Sequence, residues 1–320
     1  MNTKARNRQY QCKKQKSLKE RIVLELKRNW GLYLLVSIPL AYLIIFKYIP
    51  MYGVQIAFRE YKPGQGFSSG EWVGLKYFMR FLTHYNFKKI MLNTISISLY
   101  SLATFPLPII LALLLNYVRN QRFKKTVQMV SYAPYFISTV VMVGMILQFL
   151  DAKTGIVNIL VKLLGGEAQN WMAKPEYFRH IYIWTDVWQG LGYSSIMYIS
   201  ALASVSPELH EAAIIDGANI RQRIWHVDLP GILPTVSIML ILRCGSILSV
   251  GYEKIYLMQN NLNLSISEII STYVYKEGLT AAVPQYSYST AVNLFVSVIN
   301  IIMLLCVNKI TKKFSGNSLL

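Results

Sequence analysis

The chain has 320 residues, of which 53% are hydrophobic and 15% are charged, and its formal net charge is +18. This composition, with long apolar runs between charged segments, indicates an integral membrane protein and argues against a soluble globular domain. Ten of the 33 lysines and arginines lie within the first 28 residues, four lie from Arg119 to Lys125, and three close the chain at Lys309, Lys312 and Lys313. Basic clusters that flank apolar runs are typical of positive-inside membrane proteins, so no nucleic-acid partner is expected.

The segment before the first apolar run is predicted to contain a basic cytoplasmic tail, residues 1–16, and an amphipathic helix, residues 17–30. Leu18, Ile22, Leu26 and Trp30 recur there at every fourth position, with lysines and arginines around them. A helix with this stripe would lie along the lipid interface with its apolar side chains toward the bilayer. The alternative is that the helix simply extends the first membrane span.

Six apolar stretches are long enough to cross a bilayer, which needs roughly 20 mostly apolar residues. We therefore predict an all-α integral membrane protein with six transmembrane helices in residues 31–308, followed by a cytoplasmic tail, residues 309–320. The predicted spans cover residues 31–49, 90–116, 127–150, 180–203, 231–258 and 288–308. Two longer polar stretches, residues 50–89 and 260–287, are predicted to be outer loops.

The basic residues set the predicted orientation. With six spans, the N-terminus, the loop around residues 119–125 and the C-terminus fall on one side, which should be the cytoplasm. Residues 50–89 are also basic and favour the opposite orientation, but the three other basic segments agree with one another and determine the prediction. Because no small-residue cleavage site follows the first apolar run, we interpret it as a retained span and not as a signal peptide. We expect a multi-pass protein of the bacterial plasma membrane with both termini cytoplasmic.

The loop between the fourth and fifth predicted spans has helix chemistry at its start. Ser206 suits a helix N-cap, Pro207 suits the first helical position, and Glu208 complements the helix dipole. A second helical segment is predicted over residues 219–227, before the next span. A short surface helix with small side chains can enter a groove on another protein, so residues 206–224 are predicted to be a docking helix.

The same loop contains a spaced motif. Glu211, Ala212 and Ala213 are followed after three residues by Gly217, and after nine more by Val227-Asp228-Leu229-Pro230. This pattern resembles the loop signature of the permease subunits of ATP-binding-cassette (ABC) importers, with valine in place of the usual isoleucine. In that family the loop forms a coupling helix that sits in a cleft of the ATPase subunit. The resemblance therefore implies an ATPase-coupling role for Glu211, Ala212, Ala213, Asp216, Gly217, Leu229 and Pro230.

Further motifs are similar to those of one carbohydrate-uptake branch of the family, which is associated with oligosaccharides and polysaccharide fragments. They lie at residues 47–53, 57–58, 93–94, 105–108 and 128–138. The resemblance implies a type I importer permease fold that forms half of a sugar pathway. It also implies four partners: a second six-span permease in a heterodimer, two copies of an ABC ATPase, an extracellular solute-binding protein or lipoprotein, and the lipid bilayer. ATP and magnesium would be bound by the ATPase subunits, with no cofactor in this chain.

Polar and aromatic residues within the predicted spans are candidates for the substrate path, because polar groups in a bilayer usually face a bundle interior or a water-filled route. The candidates are Asp186, Trp188, Gln189, Tyr193, Arg243, Tyr252 and Glu253. Aromatic rings could stack on sugars, while the alternative for the tryptophans is an interfacial aromatic belt. Arg243 has no acidic residue at helical spacing, so it either pairs with another subunit or lines the path. Lys254 is expected to snorkel toward the interface.

Signatures of several other functions are absent from the sequence. It contains no Gly-x-x-x-x-Gly-Lys-Ser/Thr phosphate loop and no His-Glu-x-x-His pair, and its histidines do not cluster at metal-ligand spacing. We therefore predict no catalytic and no metal-binding residues, and a transport subunit that is not itself an enzyme. Two alternatives stay open: an ABC permease for a non-sugar solute, and a secondary transporter, although the midplane acidic pairs or inverted repeats of the latter are not found.

Overall fold

Helices make up all the regular structure in residues 24–64 and 66–315, which are the residues that the computed structural model describes. The one extended pairing in those residues is an isolated antiparallel bridge between Arg59 and Trp72. The prediction of an all-α protein is therefore confirmed. The chain divides into two compact units, Met1–Gln55 and Ile56–Leu320.

The first unit is dominated by one apolar helical run. After a helical stretch at 24–28 and a bend at Asn29, the run comprises α1 (Trp30–Leu43), a π-helical turn (Ile44–Tyr48) and α2 (Ile49–Tyr52). None of the α1 residues is buried, as expected of a helix whose apolar side chains face lipid. Residues 17–23 lie outside the described residues, so the amphipathic helix at 17–30 stays a prediction.

The second unit contains the remaining helices. They are α3 (Lys76–Leu82), α4 (Phe87–Ala103), α5 (Pro106–Asn116), α6 (Gln121–Tyr132), α7 (Thr139–Phe149), α8 (Ile156–Leu163), α9 (Pro175–Ala203), α10 (Pro207–Ile215), α11 (Ile220–Arg223), α12 (Leu229–Gly245), α13 (Tyr252–Met258), α14 (Leu264–Ser267), α15 (Ile270–Tyr275) and α16 (Tyr286–Ser315). Short 3-10 or π-helical turns cover Ala133–Phe136, Trp171–Ala173, Ile224–Asp228 and Lys276–Thr280.

Three apolar clusters form the core of the second unit. One joins α7, α9 and α13 through Met142, Phe178 and Ile255. Another joins α3, α15 and α16 through Phe81, Tyr273 and Tyr288. The third joins α5, α9 and α12 through Ile109, Tyr198 and Ile232. Helix α9 contributes to two of the clusters and therefore links them.

Length and composition identify fewer than six spans. Within the described residues, four helical stretches are long and apolar enough to cross a membrane, and they are Trp30–Phe58, Phe87–Asn116, Ile220–Gly245 and Tyr286–Lys313. A bent pair, Gln121–Phe136 with Thr139–Phe149, makes a fifth if it is counted as one span. Helix α9 has 29 residues but is not among them. Polar side chains such as Asp186 and Gln189 lower the mean hydropathy of α9, although the helix is long enough to cross a bilayer. Six spans therefore remain a prediction.

The third predicted span is not one straight helix. Helix α6 passes into the 3-10 turn, Ile137 is extended, and α7 then starts in a direction 101° away. Pro134 has no N–H for a helical hydrogen bond, and the Ser138 hydroxyl accepts from the Val141 N–H as the N-cap of α7. The freed Ile137 carbonyl accepts a hydrogen bond from Gln189 Nε2 at 3.1 Å, so the bend is stabilised from α9.

The fifth predicted span, residues 231–258, is also interrupted. Helix α12 ends at Gly245, and α13 begins only at Tyr252. Side chains from distant helices satisfy the backbone of the break. The Ser98 hydroxyl donates to the Ile247 carbonyl, and Asn300 Oδ1 accepts from the Leu248 N–H at 3.1 Å. These partners replace the helical hydrogen bonds that would otherwise be lost.

The stretch at residues 260–287, predicted as a polar outer loop, is instead folded into short helices with buried side chains. Asn263, Ser267 and Thr272 have no exposed surface. The Asn263 amide donates to the carbonyls of Met172 and Met258, both at 3.1 Å, and its Oδ1 accepts from the Ser267 hydroxyl at 2.9 Å. The prediction was wrong here because the polar groups are satisfied by one another and not by water.

Candidate functional site

The loop predicted to dock a partner is a well-capped helix. In α10 the Ser206 hydroxyl accepts from the Glu208 N–H at 3.3 Å, Pro207 is the first residue, and Glu208 lies in the first turn. The predicted start of the helix is therefore correct to the residue. Beyond the next turn, Asn219 and Gln222 form a reciprocal capping box at the start of α11.

Gly217 ends α10 in a left-handed conformation, with φ of +79°. The Gly217 N–H donates to the Ile214 carbonyl at 3.0 Å, and the Ala218 N–H donates to the Ala213 carbonyl at 2.8 Å. This pair of bonds is a Schellman motif, which favours glycine because an L side chain at positive φ is strained. From Ile220 the backbone stays helical through a π-helical turn into α12, as far as Gly245.

The predicted coupling residues occupy this loop in different environments. Glu211, Ala212, Asp216 and Gly217 are exposed on and just after α10, together with Pro230 at the start of α12, while Ala213 and Leu229 are half-buried. Leu229 packs against the cluster of α5, α9 and α12. The acidic residues, Ala212 and Gly217 thus lie at the surface, and Leu229 attaches the loop to the core.

Large apolar side chains on the same loop are exposed. They are Leu209, Ile214, Ile215, Ile220 and Trp225, and Ile215 is 84% exposed. Grouped exposed apolar side chains of this kind mark interaction surfaces. We call these five residues the loop apolar surface. Leu209, Ile214 and Ile215 lie on α10, which is capped at both ends, whereas Ile220 and Trp225 lie in the segment that follows it.

A buried carboxylate attaches the loop to two of the long helices. Asp228 has no exposed surface, and its Oδ2 accepts a hydrogen bond from the Tyr117 hydroxyl at 2.6 Å. Its Oδ1 lies 3.4 Å from His210 Nε2 on α10. The Arg223 guanidinium lies 5.4 Å from the centre of the Tyr117 ring. Burial, with the hydrogen bond to Asp228 and the charge of that carboxylate, raises the pKa of Tyr117 to about 12.

The sequence interpretation missed this cluster. Tyr117 and Asp228 are 111 positions apart, so no local pattern pairs them. The available signal was Asp228 itself, a carboxylate at the start of a predicted span. Such a group needs a partner wherever it is buried.

A second candidate site lies among α4, α9 and α12. Two adjoining cavities, each of about 310 Å³, share Ser101, Asp186 and Arg243 in their walls. The first cavity is bounded mainly by apolar and aromatic side chains, including Phe105, Met197 and Met239. The second is more polar and is bounded by hydroxyls, including Ser98, Ser246 and Ser249. Such a combination of apolar walls and a few polar groups is typical of ligand sites.

Asp186 has a cationic partner that the sequence interpretation did not find. Lys254 Nζ lies 3.5 Å from Asp186 Oδ1, and the Lys254 and Asp186 side chains are 6% and 45% exposed, respectively. The Lys254 ammonium also lies 5.5 Å from the centre of the Tyr182 ring. The prediction that Lys254 snorkels to the interface was therefore wrong. Helix α13 packs into the core, and Asp186 compensates the buried ammonium.

Arg243 has no such partner. Its Nη2 donates a hydrogen bond to the Ser101 hydroxyl, and none of the ion pairs in residues 24–64 and 66–315 includes it. The side chain is exposed at the junction of the two cavities. Arg243 therefore contributes a positive charge that no carboxylate within the described chain neutralises.

Of the other substrate-path candidates, one lies in the wall of a shared cavity and the rest lie elsewhere. Tyr193 lies in the wall of the first cavity and stacks on Tyr135, with ring centres 3.7 Å apart. Gln189 holds the bend before α7, while Trp188 and Glu253 are exposed and are in the walls of neither cavity. Tyr252 borders a third cavity of about 350 Å³, near Tyr275. Asp186, Tyr193 and Arg243 are thus the candidates that the structure brings together.

Comparisons with known proteins agree with these features. Residues 104–316 match the family described as the inner membrane component of binding-protein-dependent transport systems. The chain is 44% identical over 295 residues to protein LplB of Bacillus subtilis (strain 168), covering 92% of each chain. It is 41% identical over 300 residues to YteP of the same organism, a polygalacturonan/rhamnogalacturonan transport system permease protein, covering 93% of each.

Solved structures give the same result. A chain of a bacterial ABC transporter involved in import of the acidic polysaccharide alginate matches with a TM-score of 0.83 and 35% identity, over 92% of this chain and 99% of that one. A chain of the bacterial alginate ABC transporter in complex with an alginate pentasaccharide-bound periplasmic protein matches with a TM-score of 0.84 and 34% identity, over 93% and 100%. The family match includes the capped loop, Asp186 and Arg243, and the chain belongs to the family of binding-protein-dependent transport system inner membrane components.

Proposed function

We propose that the chain is the permease subunit of an ABC importer and forms half of the pathway for a sugar, an oligosaccharide or polysaccharide fragment. Two kinds of similarity support a sugar. YteP is named a polygalacturonan/rhamnogalacturonan transport system permease protein, and the solved structures are of an alginate importer. Both relationships extend over nine tenths or more of the chain, which favours a common type of cargo.

One observation carries the ATP-driven part of the proposal. The loop apolar surface is exposed on α10 and its neighbours, although the loop is capped at both ends and attached to the core through Leu229 and Asp228. Covering such a surface with another protein would remove its apolar area from water, and this favours docking. The motif residues Glu211 and Asp216 lie beside it and supply charges to that partner.

The assembly we propose has this chain paired with a second six-span permease as a heterodimer. Two ATPase subunits would bind the coupling loops and hold ATP and magnesium, and an external solute-binding protein would deliver the sugar. The complex of the alginate importer with a sugar-bound periplasmic protein supports the last of these partners. With six spans, both termini and the loop of residues 206–224 would face the cytoplasm of a bacterial cell.

Ile215→Asp tests the docking surface. The change places a charge at the most exposed position of the loop apolar surface, so we expect the ATPase subunit no longer to co-purify and ATP-dependent sugar uptake to fall at least tenfold. Leu164→Asp is the matched control, because Leu164 is 88% exposed but lies just after α8, outside the loop. Normal ATPase binding and uptake by the Ile215→Asp variant would contradict the proposal.

A further inference from the structure

The charges around the two adjoining cavities do not balance. Asp186 is the acidic side chain in their walls, and Lys254 already pairs with it at 3.5 Å. Arg243 therefore adds a positive charge at the cavity junction without an ion-pair partner among the residues that the structure describes. An arginine in a membrane-spanning helix is costly unless an anion or an aqueous route compensates it.

The hydrogen bonding of Arg243 is incomplete as well. A guanidinium has five N–H donors in a planar fork, and in Arg243 one nitrogen is engaged by the Ser101 hydroxyl. This contact restricts the side chain without neutralising it. A planar fork of donors matches the two oxygens of a carboxylate, and such paired hydrogen bonds are among the strongest in proteins.

We propose that Arg243 binds the carboxylate of an acidic sugar and that the junction of the two cavities is a uronate-selective site. This inference rests on the proposed sugar-import function and makes its substrate class more specific. Around Arg243, the hydroxyls of Ser98, Ser246 and Ser249 offer hydrogen bonds to the sugar hydroxyls. The apolar wall of the first cavity, which includes Phe105 and Tyr193, suits the CH-rich face of a sugar ring.

A neutral sugar would bind at this site more weakly than an acidic one. Serine hydroxyls and Asp186 could bind its hydroxyl groups, but the Arg243 charge would stay uncompensated. The competing explanation is that a carboxylate from the partner permease neutralises Arg243. The two explanations differ in what Arg243→Gln does, because a lost subunit contact weakens assembly for every cargo, whereas a lost carboxylate contact weakens only the binding of acidic sugars.

The test is equilibrium binding to the purified, fully assembled importer without its solute-binding protein. The probes are radiolabelled trigalacturonate and its methyl ester, which has the same skeleton without the charges. We expect the wild-type importer to bind trigalacturonate at least tenfold more tightly than the ester. Arg243→Gln should abolish that preference, Arg243→Lys should retain part of it, and Ser101→Ala should reduce it. Lys162→Gln, which removes the same charge from an exposed position on α8, should leave it unchanged.

Several results would overturn the inference. They are equal binding of both probes by the wild type, binding of neither probe, an equal loss for both probes in Arg243→Gln, or dissociation of the partner permease from that variant. ATP-driven uptake of neutral arabino-oligosaccharides or maltose by the wild type is measured in parallel. If that uptake occurs without any preference for the charged probe, sugar import stands and the uronate site alone is rejected.

Discussion

Asp228 is the residue on which the attachment of the coupling loop depends. Its two carboxylate oxygens face different helices, with Tyr117 at the end of α5 on one side and His210 of α10 on the other. Because the side chain has no exposed surface, water cannot replace either partner. The hydrogen bond to Tyr117 and the nearby His210 imidazole therefore link the end of α5 to α10 through one buried carboxylate.

We predict that Asp228→Ala destabilises the protein more than Tyr117→Phe. The alanine variant leaves the Tyr117 hydroxyl without its acceptor and removes the carboxylate that lies 3.4 Å from His210 Nε2, at a cost of about 2–4 kcal/mol. The phenylalanine variant removes one hydrogen bond and should cost about 1 kcal/mol. The rate of thermal inactivation in detergent measures both, and Glu208→Gln, on the exposed side of α10, is the control. Equal stability of Asp228→Ala and wild type would show that the Asp228 carboxylate does not stabilise the attachment of the loop.

For single residues, the sequence predicts roles that depend only on neighbouring backbone groups, such as helix caps and turns. Ser206, Pro207 and Gly217 act on backbone groups within a few positions, so their roles could be inferred without a structure. The partners of Asp228 and Lys254 could not, because Tyr117 and Asp186 reach them only after the chain has folded. A carboxylate or ammonium at an apolar position signals that a partner exists without identifying it.

Helix α10 is defined by its two ends. Few apolar contacts hold it, since none of its residues is fully buried, so its caps must determine where it starts and stops. The Schellman motif at Gly217 then turns the chain toward α11. The direction of α11 relative to α10 therefore depends on the positive φ angle of Gly217.

We predict that Gly217→Ala weakens coupling and that Gly217→Asn does so less. The φ of +79° strains alanine by roughly 1 kcal/mol, whereas asparagine tolerates left-handed backbone better. An added Cβ would meet no atom within 4 Å, so crowding is not the cause. Sugar-stimulated ATP hydrolysis should fall in the order Gly, Asn, Ala.

Gly144→Ala serves as the control for that series. Gly144 lies within α7, where an added Cβ also meets no atom within 4 Å, and alanine there favours the helix. This variant should hydrolyse ATP normally. A Gly217→Ala variant as active as Gly144→Ala would mean that the left-handed turn does not govern coupling.

The helix breaks were less predictable than the helix caps. Pro134 marks a weak point in the third predicted span, yet prolines at 39 and 234 lie inside helices α1 and α12. What distinguishes the break is Gln189, which supplies a donor to the Ile137 carbonyl from another helix. The break before α13 likewise depends on Ser98 and Asn300. Hydropathy does not detect such donors.

For the whole molecule, hydropathy identified the apolar helices and missed the polar interior. Helix α9 contacts two of the three core clusters although its composition is mixed. Residues 260–287 are rich in asparagine, serine and threonine, and this composition suggested a loop. In the folded chain these side chains are buried and hydrogen-bonded within the protein. In both cases polar residues are interior because they serve a cavity or a hydrogen-bond network.

The six-span topology yields a prediction that labelling can check. In a variant without native cysteines, single cysteines at the exposed positions Lys62 and Lys153 should react with an impermeant maleimide on intact spheroplasts. Cysteines at Arg221 and Lys312 should react only after the membrane is opened. Reaction of the Arg221 position from outside would contradict the cytoplasmic placement of the coupling loop.

The continuity of backbone from α11 into α12 makes this segment a lever. Arg243 is 23 positions beyond Ile220 on one helical path, and at 1.5 Å per residue the arm is roughly 35 Å long. Tilting such an arm by about 5° about its loop end displaces the guanidinium by about 3 Å, as far as a whole hydrogen bond is long. The affinity of Arg243 for the sugar and the conformation of the ATPase subunit would then both depend on the tilt angle of this one helical segment.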